Sequence, residues 1–365
     1  MNEKLLYEIA LGFIPGIGGG LTRQLISYCG SAENVFKEKK GKLLKIPGIG
    51  ETLVEKIINQ NVLKDAEAEL KMAEANNTQI LFYTSEDYPT RLKNIYDAPT
   101  LIYYKGNVNL NAEKVIGIVG TRNATEYGKE QTAKLVEGLK SHNPLIISGL
   151  AYGIDIAAHK ACLAHDIPTI GVMGSGMDII YPPSHRDAAN KMLNQGGLLT
   201  ENRFGTKPEP SRFPERNRII AGMCDVVVVA EASESGGALI TAELANSYNK
   251  EVFAIPGKLG DEFSEGCNNL IKDHKAHIYT KPSDVEYLMN WTPGLAPKKQ
   301  KALDLSPFSQ EEQSIIVLMQ SGDGALLDDL SWKSQLPVSR VASLLLNLEF
   351  QGLVKSLPGK KYKLV

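Results

Sequence analysis

Three arginines lie within seven residues of one short segment, which reads RFPERNRIIAG at positions 212–222. They are Arg212, Arg216 and Arg218, and Phe213 stands next to the first of them. A guanidinium group can bind a phosphate with two parallel hydrogen bonds, and an aromatic ring offers a face on which an unpaired base can stack. If the preceding loop, GTKPEPSRFP, folds over the molecule, these side chains would clamp a nucleic-acid phosphate.

Structural roles stay open for several residues of this segment. Phe213 could instead be a plug that packs the loop onto the sheet, which is the commoner role of such a ring. Arg218 could form a salt bridge with Glu231 or Asp225, and Asn217 could cap a helix that begins near it.

The net charge of the chain means that any phosphate site must be a local patch of positive charge. The chain has 365 residues and a formal net charge of −2, so its surface is not uniformly basic. Between positions 202 and 218, however, five basic side chains stand against two acidic ones. The opening apolar run is too short to span a bilayer, which favours a cytoplasmic protein without a membrane segment.

Several catalytic and cofactor signatures are missing from the sequence. It has no GxGxxG between its first strand and helix, no GxxxxGK[ST] and no GxSxG, which argues against dehydrogenases, P-loop NTPases and serine hydrolases. The cysteines are scattered singly, without metal-ligand spacing. His159 is expected at the edge of the core. We therefore predict no catalytic residue, no metal and no cofactor.

Five apolar runs in the middle of the chain are typical of parallel strands buried on both faces. They are VIGIVG, PLIISGL, PTIGVMG, DVVVVAEA and EVFAIPG, and helical stretches separate them. This alternation predicts a doubly wound, mostly parallel, Rossmann-like α/β sheet. Glycine-bearing turns follow the strands, where such sheets form a crevice whose amides suit phosphate. The predicted DNA- and phosphate-binding residues are Gly120, Thr121, Arg122, Ser148, Gly149, Gly174, Arg212, Phe213, Arg216, Asn217, Arg218, Ser235, Gly236 and Gly237.

Two smaller modules flank this core, which is predicted over residues 79–290. Residues 1–78 contain a repeated Pro-Gly-Ile-Gly turn and resemble a helix-hairpin-helix or SAM-like domain, in which the turns either hold phosphate or merely turn the chain. A linker is predicted at 291–308. Residues 309–365 are predicted to form a winged helix, with contact to duplex DNA and contact to protein as open alternatives.

An ordered set of motifs carries a family resemblance over most of residues 80–280. VGTRNATEYG, ISGLAYGIDIAAH, TIGVMGSGMDIIYPPSH and RFPERNRIIAGMCDVVVVAEASESGGALITAELA resemble the DNA-processing protein A (DprA, or Smf) family. Thr121 replaces the usual serine, and Tyr152 stands where arginine is frequent. This second difference leaves more of the DNA affinity to the arginine cluster.

The resemblance implies a binding protein and not an enzyme. It implies a homodimer that holds single-stranded DNA during natural transformation, protects the incoming strand and helps to load RecA recombinase onto it. It also implies single-strand-binding protein as a partner, which this protein would displace from the DNA.

An enzymatic alternative comes from SGGALITAE at 235–243. It is similar to the Gly-Gly-x-Gly-Thr-x-x-Glu turn of nucleotide phosphoribohydrolases with the lysine-decarboxylase-like fold. In that alternative Glu243 and Arg122 would cleave a glycosidic bond. Leu239 and Ile240 replace the glycine and threonine of the pattern, and their bulk would obstruct a nucleotide phosphate, so the hydrolase ranks below the DNA binder.

Overall fold

A computed structural model describes residues 3–59, 61–291, 308–319, 325–334, 336–357 and 361–364. Contacts between residues divide the chain into two compact units, Met1–Gly294 and Leu295–Val365. The first unit contains the N-terminal helices and the large sheet, and the second contains the C-terminal module. Within the described ranges, none of the helices combines the length and the apolar character that crossing a bilayer requires.

The described N-terminal segment is helical. It consists of α1 (Glu3–Phe13), α2 (Gly19–Cys29), α3 (Ala32–Lys37), α4 (Lys40–Leu43), α5 (Glu51–Ile58) and α6 (Val62–Ala75). The two Pro-Gly-Ile-Gly turns pack reciprocally: a Cβ on Gly16 would lie 3.1 Å from Leu53 Cδ2, and one on Gly48 would lie 3.4 Å from Leu21 Cδ2. Both glycines have positive φ angles, 97° and 77°, which side-chain-bearing residues rarely adopt. The sequence repeat thus produces a paired turn.

The central part of the chain alternates between strands and helices. Its elements are β1 (Gln79–Phe82), α7 (Thr90–Lys93), β2 (Leu101–Gly106), β3 (Val115–Gly120), α8 (Glu126–Gly138), β4 (Leu145–Gly149), α9 (Ile154–Ala164), β5 (Thr169–Val172), α10 (Arg186–Met192), β6 (Gly196–Thr200), α11 (Arg212–Met223), β7 (Val226–Glu231), α12 (Gly237–Ser247), β8 (Glu251–Ala254), α13 (Glu265–Lys272), β9 (His277–Ile278) and α14 (Pro282–Leu288). Short 3-10 helices cover Lys140–His142 and Pro183–His185.

The described strands of this unit form a nine-stranded sheet in the order β1-β2-β6-β5-β4-β3-β7-β8-β9. The pairs from β6 to β9 are parallel, whereas β1 with β2 and β2 with β6 are antiparallel. The five predicted apolar runs contain β3, β4, β5, β7 and β8. This confirms the doubly wound, mostly parallel sheet. The apolar run QILFY at 79–83 also predicted a strand and contains β1, whereas β2, β6 and β9 were not predicted.

Alternate residues of the central strands supply two separate cores. Val119 and Val227 pack with one cluster, which includes residues of α11 and α12, while Ile118 and Val228 pack with the opposite cluster, which includes residues of α8 and α9. Successive side chains of a strand point to opposite faces, so a sheet covered by helices on both sides needs apolar residues at every position. The unbroken valine run of β7 satisfies that requirement.

The N-terminal helices share a core with the sheet. Leu11 and Leu25 of these helices belong to the same buried cluster as Phe82, Tyr103 and Leu198 of the strands. Residues on both sides of the boundary that we predicted between 1–78 and 79–290 belong to one compact unit by their contacts. The reason is that β1 and β2 bury one face beneath the helices.

The C-terminal unit has the helix and strand order of a winged helix. Its described elements are α15 (Gln310–Met319), β10 (Ala325–Leu326), α16 (Leu327–Ser334), α17 (Val338–Phe350), β11 (Val354–Leu357) and β12 (Lys361–Leu364). The strands pair in the order β10-β12-β11, and Ile315, Leu330 and Leu345 are buried in the core of the unit. Nearly all of the predicted linker, residues 292–307, lies outside the described residues.

His159 of α9 is fully buried, closer to the centre of the core than the edge position that we expected. Its Nε2 donates to the carbonyl oxygen of Gly149 at 2.6 Å, and its Nδ1 lies 2.8 Å from the Thr169 hydroxyl. Burial disfavours the charged imidazolium and lowers the pKa of His159 to about 4. It is therefore a neutral structural group.

We expect His159 to make the fold sensitive to acid. The unfolded chain binds a proton near the ordinary pKa of 6.5, whereas the folded chain does so only near about 4, so stability is lost as the pH falls between these values. The loss due to this residue should be about 3 kcal/mol at pH 4. Urea unfolding between pH 7 and pH 4 should show a shallower pH dependence for His159→Gln than for the wild type. Identical pH dependences would contradict the expectation.

Candidate nucleic-acid interface

A crevice of about 640 Å³ opens beyond the carboxyl ends of β3 and β7. These neighbouring strands mark the point where the strand order reverses, because the chain continues from β3 to β4 on one side and from β7 to β8 on the other. Open α/β sheets bind their ligands at such a point. The predicted site residues that line the crevice are Gly120, Thr121, Arg122, Phe213, Arg216, Asn217, Ser235, Gly236 and Gly237.

The amino end of α12 contributes unpaired amides to this crevice. The helix has eleven residues, Gly236 is its N-cap, and no side chain caps it. Neither Gly237 nor Ala238 donates its amide to another described group. Free amides and the helix dipole both favour an anion at this end. A Cβ on Gly236 would meet no atom within 4 Å, so the approach to the helix end is open.

Arg122 presents an exposed cation on an aromatic face. Its guanidinium carbon lies 5.1 Å from the centroid of the Phe213 ring, a cation–π distance. The backbone beneath it is fixed, because the Thr121 amide donates to the carbonyl oxygen of Glu231 at 2.7 Å. Within the described residues the Arg122 guanidinium makes no hydrogen bond or ion pair, so its donors are available to a ligand.

Glu231 anchors the loop that carries Arg122. Its carboxylate accepts hydrogen bonds from the amide of Thr125, at 2.8 Å, and from the hydroxyl of the same residue. Thr125 in turn caps α8 by accepting from the amide of Gly128. The sequence suggested Glu231 only as a partner for Arg218. Glu231 ends β7 and lies next to the turn that follows β3, and this proximity becomes apparent only from the strand order.

Arg216 is held rigidly in the floor of the crevice. Only 5% of the residue is exposed, and its Nη1 donates to the carbonyl oxygen of Val172. A Cβ on Gly149 would lie 2.1 Å from this Nη1 and 2.3 Å from Oδ2 of Asp155, so glycine leaves the space that both groups occupy. We expected a loop arginine that reaches a phosphate from above. The structure corrects this, because α11 begins at Arg212 and turns Arg216 towards the sheet.

Asp155, which sequence reasoning missed, places a carboxyl group beside this buried arginine. Burial raises the pKa of Asp155, and the positive charges of Arg216 and Arg122 oppose the rise. Burial likewise lowers the pKa of the Arg216 guanidinium. The only sequence signal for Asp155 was its place in the glycine-bearing SGLAYGID turn after β4.

Three predicted residues, Ser148, Gly149 and Gly174, lie near the crevice and do not line it. Ser148 is fully buried and donates to the carbonyl oxygen of Ile118, which ties β4 to β3. Gly174 lines a smaller adjacent cavity of about 100 Å³ together with Tyr181. A Cβ on Gly174 would lie 3.1 Å from the Phe213 ring. That ring therefore separates the two spaces and also lies 5.9 Å from the ring of Tyr181.

Asn217 and Arg218 have other partners than those of the structural alternatives that the sequence left open. Asn217 lies in the middle of α11 and donates to the carbonyl oxygen of Gly237, so it joins two helices and does not cap the start of its own. Arg218 pairs with Glu201, not with Glu231 or Asp225. Asp225 pairs instead with Arg91, at 2.6 Å.

Arg212 and Arg218 line a second cleft that shares no lining residue with the crevice. The arginine cluster of the sequence is therefore divided: Arg216 faces the crevice, and the other two face this second cleft. Their separation follows from the helical conformation of residues 212–223, which directs neighbouring side chains to different sides.

Two family models match the chain. DNA recombination-mediator protein A matches residues 79–290, and the DprA winged helix domain matches residues 296–360. The chain belongs to the DprA family. This confirms the resemblance drawn from the motifs and the winged-helix character of the C-terminal unit.

Similar proteins and structures come from several bacteria. Protein Smf of Synechocystis sp. is 32% identical, with 99% of each chain covered. DNA processing protein DprA of Streptococcus pneumoniae is 42% identical over 54% of this chain and 70% of that one. The X-ray structure of the S. pneumoniae protein superposes with a TM-score of 0.63, at 34% identity, over 77% of this chain and 97% of that chain. A Helicobacter pylori structure, described as showing a unique single-stranded DNA binding mode of DNA processing protein A, has a TM-score of 0.53 at 28% identity, over 58% of this chain and 96% of that chain.

Proposed function

We propose that this DprA-family chain binds single-stranded DNA in the crevice at the ends of β3 and β7. One observation carries the proposal: an exposed guanidinium on an aromatic face, that of Arg122 on Phe213, lines the same crevice as the unpaired amides of α12. The guanidinium and the amides would hold backbone phosphates, and the ring would stack an unpaired base. The H. pylori relative, whose structure concerns single-stranded DNA, supports this choice of ligand.

The chemistry of the crevice favours binding that depends little on base sequence. Amides and guanidinium groups recognise phosphate oxygens, which are the same for every nucleotide, and a ring stacks on any base. Duplex DNA pairs and stacks its bases internally, so it offers Phe213 no free base face. Single strands of any composition are therefore the proposed ligand.

We extend the proposal to the recombination role of the family. The bound strand would be protected and passed to RecA recombinase in the cytoplasm during natural transformation, with single-strand-binding protein displaced and a homodimer as the active form. Membership of a family of DNA recombination mediators supports this extension.

Fluorescence anisotropy with labelled oligonucleotides tests the DNA-binding proposal. Single strands of unrelated sequence should bind with similar affinity, and a duplex of the same length should bind more weakly. A strong preference for one sequence, or equal affinity for the duplex, would contradict the proposed ligand.

The hydrolase alternative makes an opposite prediction. Glu243 lines the crevice, but its Oε1 lies 3.6 Å from Nζ of Lys275, and Leu239 and Ile240 line the same space with apolar side chains. We expect no free base after incubation with nucleoside monophosphates, measured by chromatography. Release of base that disappears in Glu243→Gln would instead establish the hydrolase.

A further inference from the structure

The second cleft lies where the first Pro-Gly-Ile-Gly turn meets the α/β sheet. It has a volume of about 770 Å³ and is lined by residues of α2, of the loop before β2 and of the loop before α11. Four arginines line it, against the two carboxylates of Asp97 and Glu201. Counted over its lining residues the cleft is positive, which favours an anionic ligand, while Glu69 and Glu209, which do not line it, each lie beside one of the arginines.

Two of these arginines lie over aromatic rings that fix their position. The guanidinium carbon of Arg203 is 3.4 Å from the centroid of the Phe13 ring, and that of Arg23 is 5.6 Å from the centroid of the Tyr83 ring. Arg23 also donates to the carbonyl oxygen of Ala98. The side chain of Arg203 is 45% exposed, and the nearest oxygen of its acidic partner, Glu69, is 3.9 Å from its Nε. Arg203 thus keeps most of its donors for a ligand.

The other two arginines come from α11. Arg212 donates to Oδ1 of Asn202 at a long 3.3 Å, its Nη2 lies 3.5 Å from Oε2 of Glu209, and its buried Nε has no hydrogen-bond partner among the described residues. Arg218 is engaged by Glu201 and by the carbonyl oxygen of Asp97, so it provides charge while those contacts hold it in place.

Tyr103 adds an unsatisfied polar group to the same cleft. The residue is 1% exposed, and its hydroxyl meets no partner at hydrogen-bonding geometry within the described part of the chain, although the Glu69 carboxylate is near. A buried hydroxyl without a partner costs free energy that a ligand or water can recover.

The amino end of α2 points its unpaired amides at this cleft. The helix has eleven residues, its N-cap Gly18 provides no side-chain cap, and the amides of Gly19 and Gly20 donate to no described group. The second copy of the turn differs at this place: Glu51 follows its N-cap Gly50, so a carboxylate already sits in the first turn of α5. Of the two copies, only the first leads into a helix that has no carboxylate in its first turn and whose N-cap lines the second cleft.

We propose that the cleft is a second phosphate site for the same DNA strand that occupies the crevice. The inference rests on the proposed function, because the strand must reach the cleft from the crevice. Arg212 lines the cleft while its neighbour Phe213 lines the crevice, so α11 forms the wall between them. A helix is about 10 Å across, and a stacked strand has a phosphate about every 3.4 Å, so about three nucleotides bridge the two sites.

A matched pair of glycine replacements tests the inference in the full chain. Gly18 and Gly50 are both N-caps with extended backbone, at φ −89° and ψ −178° and at φ −95° and ψ 173°. A Cβ on either would meet no atom within 4 Å. Aspartate is a favoured N-cap, so Gly18→Asp and Gly50→Asp should both fold with thermal stability at least that of the wild type. Only the first places a carboxylate in the cleft.

Binding is measured with oligothymidylates of about two and about twenty nucleotides, because a strand of about two nucleotides is too short to span the distance of about three nucleotides between the two sites. Gly18→Asp should bind the long strand about tenfold more weakly and lower its log-log salt slope by about 0.7 per lost phosphate contact, with the short strand unaffected. Gly50→Asp should match the wild type. Arg203→Ala should reproduce the length-dependent loss, because it removes a cation from the cleft without adding a carboxylate.

The outcomes separate the two proposals. If wild-type protein does not bind single strands at all, the proposed function fails and the second site fails with it. If the wild type binds but Gly18→Asp and Gly50→Asp do not differ with the long strand, only the second site is overturned. Equal weakening of short and long strands by Gly18→Asp would also overturn it, because the cleft would then not act as an extension of the crevice.

Discussion

Arg122→Ala is expected to weaken binding of single-stranded DNA by about 10- to 150-fold at low salt. A hydrogen-bonded charged contact contributes about 1.5–3 kcal/mol, and the exposed Arg122 guanidinium, free of other partners in the described chain, should devote its donors to one phosphate. The log-log salt slope should fall by about 0.7, the value for one phosphate contact on a single strand. Anisotropy titrations at several salt concentrations measure both quantities.

Arg122→Lys should restore only part of this affinity. Lysine keeps the positive charge but lacks the planar fork that binds two phosphate oxygens and lies flat on Phe213. Arg186→Ala is the matched control, because it removes an exposed arginine that lines neither the crevice nor the second cleft. If a folded Arg122→Ala protein keeps both its affinity and its salt slope, the crevice is not the DNA site.

Phe213→Ala is the second change for which we expect a large effect. Stacking of a base on an aromatic side chain contributes about 1–3 kcal/mol, so affinity should fall by about 5- to 150-fold. The same change removes the ring beneath Arg122 and the wall between the crevice and the cavity lined by Tyr181. Phe213→Tyr should bind nearly as the wild type does, because it retains the ring.

Phe213→Leu separates stacking from packing. Leucine fills much of the same apolar volume but offers no flat face, so it should bind DNA as poorly as alanine while its thermal stability stays near that of the wild type. An abasic strand provides the ligand control: Phe213→Ala should weaken its binding less than that of a strand with bases, because only the support of Arg122 by the ring is then lost. If leucine restores DNA binding, Phe213 is a packing plug, which is the alternative that the sequence left open.

The sequence was sufficient for the architecture of the central sheet. The continuous apolar runs of β3, β4, β5, β7 and β8 predicted strands buried on both faces, and the glycine turns after them predicted the crevice. It was less informative for β2 and β6, where tyrosines, a lysine and glycines break the apolar run. Such strands are recognised by their partners across the sheet, and pairing is not a local property.

The sequence by itself determined the family, the strand pattern and the presence of an arginine cluster next to a glycine-rich crevice. Only the tertiary structure decided what each arginine does. Arg216 lies buried beside Asp155, Arg218 pairs with Glu201, and Arg212 faces the cleft below the first Pro-Gly-Ile-Gly turn. Secondary structure follows from local periodicity, whereas the partner of a charged side chain depends on strand order and on which helix covers which face. Asp155 and Glu201 come from different parts of the chain, and only the completed sheet brings them to α11.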